Sequence, residues 1–147
     1  MPPRSISDLH PLLAYAFGKA EAEFLLTYPE APKPFISCTF RSPEEQTALF
    51  NQPTDKIDNN GNGKIDEPAE RVTNARAGES AHNYKPALAF DVAFLAKGGR
   101  IDWSDKWFDL FAPLVLKSTG ITWGGNFKSL PDRPHFELTG WKKLAGK

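Results

Sequence analysis

Two segments of the chain carry apolar residues at helical spacing. In the segment from Asp8 to Tyr28, the apolar positions that share a face are Leu9, Leu12, Leu13, Ala16, Phe17, Ala20 and Phe24. In the segment from Asp102 to Lys117, they are Trp107, Leu110, Phe111 and Leu114. Both segments are therefore predicted to be amphipathic helices. Pro113 lies inside the second one and predicts a kink or an early end, since proline has no backbone N–H to donate.

A third, shorter helix is predicted by its N-terminal signals. Ser42 can cap it, Pro43 suits its first turn, and Glu45 follows at the spacing of a capping box. This helix is expected to continue to about Asn51. The next stretch, residues 52–81, is polar with little periodicity, which predicts a long loop. Loops of this length are usually functional or disordered.

Short apolar runs between these segments are predicted to be strands. They are Phe35 to Phe40, Ala87 to Phe94, Ile121 to Trp123 and His135 to Leu138. In the second run, alternation places the large apolar residues on a face expected to pack on the core, and places Asp91 among alanines on the other. The pattern predicts one α+β domain over residues 1–147, with a small antiparallel sheet flanked by helices and many loops.

Composition narrows the class of protein. Hydrophobic residues make up 40% of the chain and charged residues 24%, so a globular domain is expected. Lys plus Arg and Asp plus Glu each number 18, and this absence of a basic excess argues against nucleic-acid binding. No stretch approaches the roughly 18 to 20 apolar residues of a membrane span. The N-terminus lacks signal-peptide features, so synthesis in the cytoplasm is expected, with a monomer as the default state.

Cys38 is the only cysteine, which excludes an internal disulfide. It lies within the apolar run of the first predicted strand. A nucleophilic cysteine needs a lowered pKa and a nearby base, and no local signal points to either. A buried structural thiol is therefore predicted.

Two of the three histidines stand in unusual surroundings. His82 precedes the strand that carries Asp91, and His135 follows Asp132 closely. A lone Asp in a strand is disfavoured, and a metal ion among small side chains would explain it. Two His and one Asp match the three protein ligands of a catalytic zinc site, which keeps a fourth position for water. A zinc site of His82, Asp91 and His135 is predicted, although these donors suit several transition metals. His10, at the start of a helix, is predicted to have no such role.

Water at such a site needs a proton acceptor and donor. Asp132 lies three residues before His135, close enough to face the same site, and is predicted to act as general base and then general acid. Glu137 shares a strand face with His135. It is predicted to be either a hydrogen-bonding partner of the metal ligands or an alternative base.

The long polar loop contains a second metal-binding pattern. Asp58, Asn60 and Asn62 stand at positions 1, 3 and 5 of an EF-hand-type loop, with Gly63 at the sharp turn. The further predicted calcium ligands are the backbone carbonyl of Lys64, the carboxylates of Asp66 and Glu67, and in one alternative Glu70. The pattern departs from an EF-hand at position 12, which is Ala69, and no flanking helices are evident. An inserted calcium loop over residues 52–70 is predicted, with a plain flexible loop as the alternative.

At these residues the sequence resembles the peptidase M15 family. The family motifs are Ser-x-His followed by Ala-x-Asp, and an acid followed two residues later by His. The matching residues here are Ser80, His82, Ala89, Asp91, Asp132 and His135. The resemblance extends from about Leu9 to Leu138, with one departure: Lys85 and Pro86 lengthen the connection between the first His and the Asp.

The resemblance implies a zinc peptidase with further site residues. Arg41 is implied as the group that polarises the scissile carbonyl. Ser80, Tyr84 and Trp123 are implied to contact substrate, although Tyr84 and Trp123 can equally be packing residues. The implied partner is the stem peptide of bacterial peptidoglycan.

The family includes D-Ala-D-Ala carboxypeptidases and dipeptidases, and L-alanyl-D-glutamate endopeptidases, among them many phage endolysins. The leading prediction is an endolysin that is made in the host cytoplasm, acts on the wall after release and cuts between L-Ala and D-Glu. The alternatives are a carboxypeptidase or dipeptidase of cell-wall metabolism, and a calcium-dependent wall-binding module without activity.

Overall fold

The computed structural model describes residues 3–147 of the chain. Its helices and strands alternate along the sequence as far as the third strand, which is followed by the fourth strand without an α-helix between them. In chain order they are α1 (Pro11–Thr27), β1 (Lys33–Cys38), α2 (Pro43–Phe50), β2 (Ala89–Leu95), α3 (Asp105–Val115), β3 (Ile121–Trp123), β4 (His135–Leu138) and α4 (Trp141–Leu144). Between α2 and β2 the chain forms only short 3-10 turns, at Gln52–Thr54, Pro68–Glu70 and Ala81–Asn83. The predicted long loop is confirmed.

The four strands form one antiparallel sheet in the order β1-β2-β4-β3. The two central strands, β2 and β4, pair so that Asp91 lies directly opposite His135. On the other side of β2, the pairing with β1 is irregular between Ile36 and Cys38, opposite Asp91. Such irregularities bend a strand locally and change the direction of its side chains. The sheet thus brings two predicted metal ligands together beside a distorted edge of β1.

Helices α1 and α3 cover one face of the sheet and enclose an aromatic core. The rings that share this core are Phe17, Phe24, Phe90, Phe94, Phe108, Phe111 and Phe136. Several pairs meet edge to face, which suits the opposite charge of ring face and ring edge. The large residues of β2 therefore pack on the core, as their alternation predicts.

The predicted α+β class is confirmed, and element boundaries move by a few residues. Helix α3 begins at Asp105 rather than Asp102. The carboxylate of Asp102, in the turn before the helix, accepts hydrogen bonds from Ser104 N and from the side chain of Trp107 in the first turn of the helix. It ends at Val115, two residues after Pro113, so the predicted early end is confirmed. The capping box of α2 is also present, with Ser42 and Glu45 bonded reciprocally. Helix α4 was not predicted, because its four residues are too few to show periodicity.

Within residues 3–147, none of the helices combines the length and the apolar character needed to cross a membrane.

Candidate metal centre

Three side-chain atoms from distant parts of the sequence converge next to the sheet. His82 Nε2 lies 3.1 Å from Asp91 Oδ1 and 3.2 Å from His135 Nδ1. His135 Nδ1 lies 3.2 Å from Asp91 Oδ1, which closes the triangle. Two ligands of one tetrahedral zinc ion, each bonded at about 2.0 to 2.1 Å, are about 3.3 Å apart. The triangle therefore has nearly the size that a zinc ion needs.

Local structure brings each of the three residues into place. Asp91 and His135 are cross-strand partners in β2 and β4. His82 lies on the turn Ala81–Asn83, which Ser80 caps by accepting from His82 N. Leu88 N donates to Ala81 O and closes the connection from this turn to β2. The additional residues Lys85 and Pro86 lie within that closed connection, which explains why they leave His82 close to Asp91.

Hydrogen bonds to the outer nitrogens orient both histidines. His82 Nδ1 donates to the Thr39 carbonyl oxygen at 2.7 Å, so its Nε2 lone pair faces the centre. His135 Nε2 lies 2.7 Å from Glu137 Oε1, which leaves Nδ1 as the inward-facing atom. Histidines that bind metals are typically held in this way by a carbonyl or a carboxylate. Of the two roles predicted for Glu137, the geometry supports the hydrogen-bonding partner.

The electrostatics of the centre favour a cation. Burial opposes ionisation of Asp91, but the neighbouring His82 and His135 hold the pKa of Asp91 well below its usual range. Burial also opposes a charge on His135, yet hydrogen bonds to Asp91 and Glu137 raise the pKa of His135 to about 10. A buried positive charge is thus stabilised between carboxylates, and a metal ion would take that place. The donor set and its spacing fit zinc.

Cys38 lies close to this centre without joining it. Its Sγ is 3.8 Å from His82 Nδ1, on the side away from the inward-facing Nε2. Burial and the nearby Asp91 raise the pKa of the Cys38 thiol to about 11. The thiol sulfur and ligand atoms of His82 and Asp91 lie within 4.8 Å of one another, but the His82 nitrogen that faces the sulfur is Nδ1, which is bonded to the Thr39 carbonyl oxygen. The predicted buried structural thiol is in agreement with its 5% exposure.

Asp132 is held at the edge of the centre by a tight backbone contact. Its N–H donates to the Gly124 carbonyl oxygen at 2.8 Å. A Cβ atom at Gly124 would lie 2.3 Å from the Asp132 carbonyl oxygen, so only glycine permits this approach. The Asp132 carboxylate comes within 4.8 Å of ligand atoms of Asp91 and His135. Burial and the charge of Asp91 raise the pKa of Asp132, which suits a group that takes up and returns a proton.

Arg41 contacts the carboxylate oxygen of Asp91 that is not part of the ligand triangle. Its Nη2 is 3.5 Å from Asp91 Oδ2, and its Nη1 donates to Gln46 Oε1 at 3.0 Å. The fully buried Gln46 also donates from Nε2 to the Ala75 carbonyl oxygen at 2.7 Å. Gln46 therefore links Arg41 to the segment around Ala75. Gln46 was not predicted as a site residue, because a glutamine in a short polar helix has no distinguishing pattern.

A cleft of about 980 Å³ opens over the centre. Its lining includes the predicted site residues Arg41, Ser80, His82, Asp132 and His135, together with the segment 72–75. Tyr84 and Trp123 are absent from that lining among residues 3–147. Tyr84 donates to the Gly78 carbonyl oxygen and packs on Trp141, and Trp123 Nε1 donates to the Arg133 carbonyl oxygen. These contacts support the packing alternative, and in the case of Tyr84 they are made with residues that themselves line the cleft.

In the predicted calcium loop, several side chains turn inward. The Asp58 carboxylate accepts from the backbone N–H groups of Gly61, Asn62 and Gly63. The side-chain amides of Asn60 and Asn62 both donate to Glu67 Oε1. Lys64 N donates to Asn62 Oδ1 at 2.9 Å, which continues the turn.

Asp66 faces a different group of acids. Its carboxylate lies within 4.8 Å of those of Asp55 and Glu70, and Asp55 was not among the predicted ligands. Glu70 is only 1% exposed, and its oxygens accept from Asn59 N and Asp66 N. The pattern of an EF-hand loop does not indicate these contacts, because they join the two ends of the loop across space.

Comparisons with known proteins agree with this centre. The family model Peptidase_M15_4, D-alanyl-D-alanine carboxypeptidase, matches residues 73–138, which contain all three ligands of the candidate site and Asp132. The peptidoglycan L-alanyl-D-glutamate endopeptidase CwlK of Bacillus subtilis is 33% identical over 142 residues, covering 90% of this chain and 74% of CwlK.

Solved structures share the fold. The L-Ala D-Glu endopeptidase ChiX of Serratia marcescens has a TM-score of 0.61 at 22% identity, covering 94% of this chain and 86% of ChiX. The vancomycin resistance D,D-pentapeptidase VanY, solved in complex with Zn(II), has a TM-score of 0.62 at 11% identity, covering 94% of this chain and 76% of VanY. The similarity to CwlK, together with the matching family model, identifies the chain as a member of the M15 family of peptidases.

Proposed function

We propose that the protein is a zinc-dependent peptidase that hydrolyses the stem peptide of peptidoglycan between L-Ala and D-Glu. The observation that carries this proposal is the triangle of His82 Nε2, Asp91 Oδ1 and His135 Nδ1, with edges of 3.1 to 3.2 Å, at the base of a cleft that Asp132 also lines. The bond specificity is supported by the similarity to CwlK, which is an L-alanyl-D-glutamate endopeptidase.

The residues of the centre divide the chemistry among them. His82, Asp91 and His135 would hold the zinc ion, which when bound lowers the pKa of a coordinated water and polarises a carbonyl. Asp132 accepts the proton from the attacking water and returns it to the leaving amine. Its raised pKa favours the uptake of that proton, because burial and the charge of Asp91 disfavour the ionised carboxylate.

Arg41 supplies a fixed positive charge beside the substrate. Its guanidinium is held from two sides, by Asp91 and by Gln46, so little reorientation is needed when negative charge develops on the scissile carbonyl oxygen. Gln46 acts through Arg41 and is a positioning residue.

Replacing Gln46 with Leu is expected to lower kcat by about tenfold to a hundredfold, because a misplaced charge stabilises the transition state less well. Gln46→Glu keeps an acceptor for Arg41 but cannot donate to Ala75 O, so it is expected to retain more activity than Gln46→Leu. The kcat of both variants is measured by steady-state kinetics, and their zinc content is compared with that of the wild type. Equal kinetics for the leucine variant and the wild type would contradict the positioning role.

The second candidate function is a D-Ala-D-Ala carboxypeptidase. It is favoured by the family model, which carries that description, and by the fold match to VanY. Purified protein incubated with peptidoglycan, followed by mass spectrometry of the new termini, separates the two. New L-Ala carboxyl and D-Glu amino ends support the endopeptidase, whereas released D-Ala supports the carboxypeptidase.

We propose lysis of a host cell by a phage endolysin as the biological setting. Cleavage between L-Ala and D-Glu detaches a cross-linked peptide from its glycan strand, whereas removal of a terminal D-Ala leaves existing cross-links intact. The two activities are distinguished by the turbidity of a suspension of cells with permeabilised outer layers. Turbidity is expected to fall only if the protein detaches cross-linked peptides from the glycan.

We also propose that the loop at residues 58–67 binds calcium. The support is the Asp58 carboxylate, around which three backbone N–H groups gather, and the convergence of Asn60 and Asn62 on Glu67. The loop also connects to the cleft: Glu70 holds its backbone, and the adjacent Arg71 donates to the carbonyl oxygens of Phe50 and Thr73. Calcium would thereby order the wall of the active-site cleft.

Calcium at a concentration well above its Kd is expected to raise the Tm of the wild type by about 5 °C. Asp58→Ala is expected to abolish this rise, and Asn60→Asp, which adds a carboxylate, to obtain it at lower calcium. Thermal scans with calcium or a calcium-selective chelator measure the effect. A Tm and an activity that do not change on calcium removal, with zinc retained, would contradict the proposal.

A further inference from the structure

A second groove lies beside the active-site cleft. It has a volume of about 270 Å³, and it runs between Trp103 and Phe108 on one side and the segment 131–134 on the other. Asp132 lines both the groove and the cleft. The two cavities therefore adjoin at the residue proposed to transfer the proton.

Trp103 presents a fixed aromatic surface to this groove. Its side chain is 58% exposed, which is high for a residue of this size, while the ring on which it lies, Phe108, is 2% exposed. The two rings are stacked, with centroids 6.3 Å apart and planes 11° apart. The turn before α3 is tied down by the Asp102 carboxylate, which accepts from Ser104 N and Trp107 Nε1. The open face of Trp103 is thus held in place before any ligand arrives.

The opposite wall is equally fixed, and its cation, Arg133, is paired with carboxylates. Arg133 Nε donates to Asp109 Oδ1 at 3.0 Å, and its Nη1 lies 3.5 Å from Asp105 Oδ2. The Arg133 carbonyl oxygen accepts from Trp123 Nε1 at 2.7 Å. Pro131 and Pro134 also line the groove and stiffen this segment. Since Arg133 is paired with two carboxylates and Asp132 adds another carboxylate to the lining, the groove disfavours an anion, and an uncharged ring suits it better.

The proposed substrate has such a ring next to the scissile bond. In peptidoglycan, the nitrogen of L-Ala is joined through a lactyl group to the muramic sugar of the glycan strand. A peptide cut after L-Ala therefore places a pyranose only one residue from the reacting carbonyl. Pyranose C–H groups carry partial positive charge and pack well on the negative face of an aromatic ring.

We propose that this groove is a glycan subsite, in which the N-acetylmuramoyl sugar of the substrate packs on the open face of Trp103. This inference rests on the proposed cleavage between L-Ala and D-Glu. It makes Trp103 a specificity-determining residue that distinguishes glycan-linked stem peptides from free peptides.

Two substrates with the same scissile bond test the subsite: N-acetylmuramoyl-L-Ala-D-Glu-Lys, and N-acetyl-L-Ala-D-Glu-Lys without the sugar. Trp103→Ala is expected to lower kcat/KM for the muramoyl substrate by about tenfold, mainly through KM, and to leave kcat/KM for the acetyl peptide unchanged. Trp103→Phe, which keeps an aromatic face, is expected to restore most of the loss. Leu26→Ala, at an exposed apolar residue in α1, serves as the matched control.

The other outcomes overturn the subsite. An equal loss of kcat/KM on both substrates would show that Trp103 acts by holding Asp132 in position. An unchanged kcat/KM on both would show that the groove has no role in binding substrate. A dimer that dissociates in Trp103→Ala, seen by sedimentation, would assign the groove to a second copy of the chain.

Failure of the proposed function gives a different result. If the wild type cleaves neither substrate, binding of the disaccharide N-acetylglucosaminyl-N-acetylmuramic acid is measured by NMR titration of the wild type and Trp103→Ala. Binding that needs Trp103 keeps the glycan subsite, and absence of binding removes it.

Discussion

Replacement of Asp132 with Asn is expected to lower kcat by about 10² to 10⁴-fold, the range that a positioned general acid–base group contributes. The amide keeps nearly the same shape, so the backbone bond from Asp132 N to Gly124 O and the packing on Gly124 should persist. What the variant loses is the ability to accept a proton from water and return it to the leaving amine. Zinc content is expected to stay that of the wild type, because Asp132 is not one of the three proposed ligands.

Kinetics on the stem peptide and metal analysis of the same sample measure the two quantities together. Glu30→Gln, the same change of acid to amide at an exposed position that pairs with the exposed Lys97, is the control and should be as active as the wild type. Activity within a few fold of the wild type in Asp132→Asn would show that another group transfers the proton. It would also revive the alternative in which the protein binds cell wall without cleaving it.

Replacement of Asp91 with Ala is expected to remove both metal binding and activity. Asp91 Oδ1 forms two of the three edges of the ligand triangle, and an alanine leaves only two imidazoles in the centre. Since loss of an outer hydrogen-bonding partner already costs about 10 to 100-fold in metal affinity, loss of a ligand is expected to cost more than about 100-fold. Alanine is compatible with β2, where the neighbouring positions on the same face, Ala89 and Ala93, are already alanines and are buried.

Comparing two variants distinguishes a metal ligand from the residue that holds a metal ligand in place. Glu137→Gln removes the carboxylate that holds His135 Nε2, and its metal affinity is expected to fall by about 10 to 100-fold, with activity restored at high zinc. Asp91→Ala should not recover at any zinc concentration at which the wild type is saturated. Competition with a zinc-buffering chelator gives the affinities, and circular dichroism confirms the fold. Wild-type affinity in Asp91→Ala would show that the ligand set is wrong.

Much of the fold follows from local pattern. The spacing of apolar residues in α1 and α3 and the alternation in β2 are properties of neighbouring residues, so helices, strands and their buried faces are visible without the structure. Boundaries are less visible, because they depend on particular contacts such as the Asp102 carboxylate before α3. The short helix α4 has no periodicity at all, and its Trp141 is buried against the rest of the chain.

The candidate metal centre could be predicted from the sequence because its members are chemically conspicuous. A carboxylate among the alanines of a strand, and two histidines beside further polar residues, are uncommon enough to suggest a metal site. The structure brings together these three residues and Asp132. The catalytic and calcium-binding roles stay predictions, to be decided by the experiments above.

The sequence by itself determined the main helices and strands, the domain class and the three candidate ligands, since each depends on residue type and on spacing along the chain. Only the tertiary structure decided which distant groups orient them: the Thr39 carbonyl behind His82, and Gln46 between Arg41 and Ala75. It also decided the contacts of Tyr84 with Gly78 and Trp141 and of Trp123 with Arg133, and that Trp103 faces a groove beside Asp132. The physical reason is that such contacts join residues far apart in the chain, and packing of the whole sheet and its helices sets them.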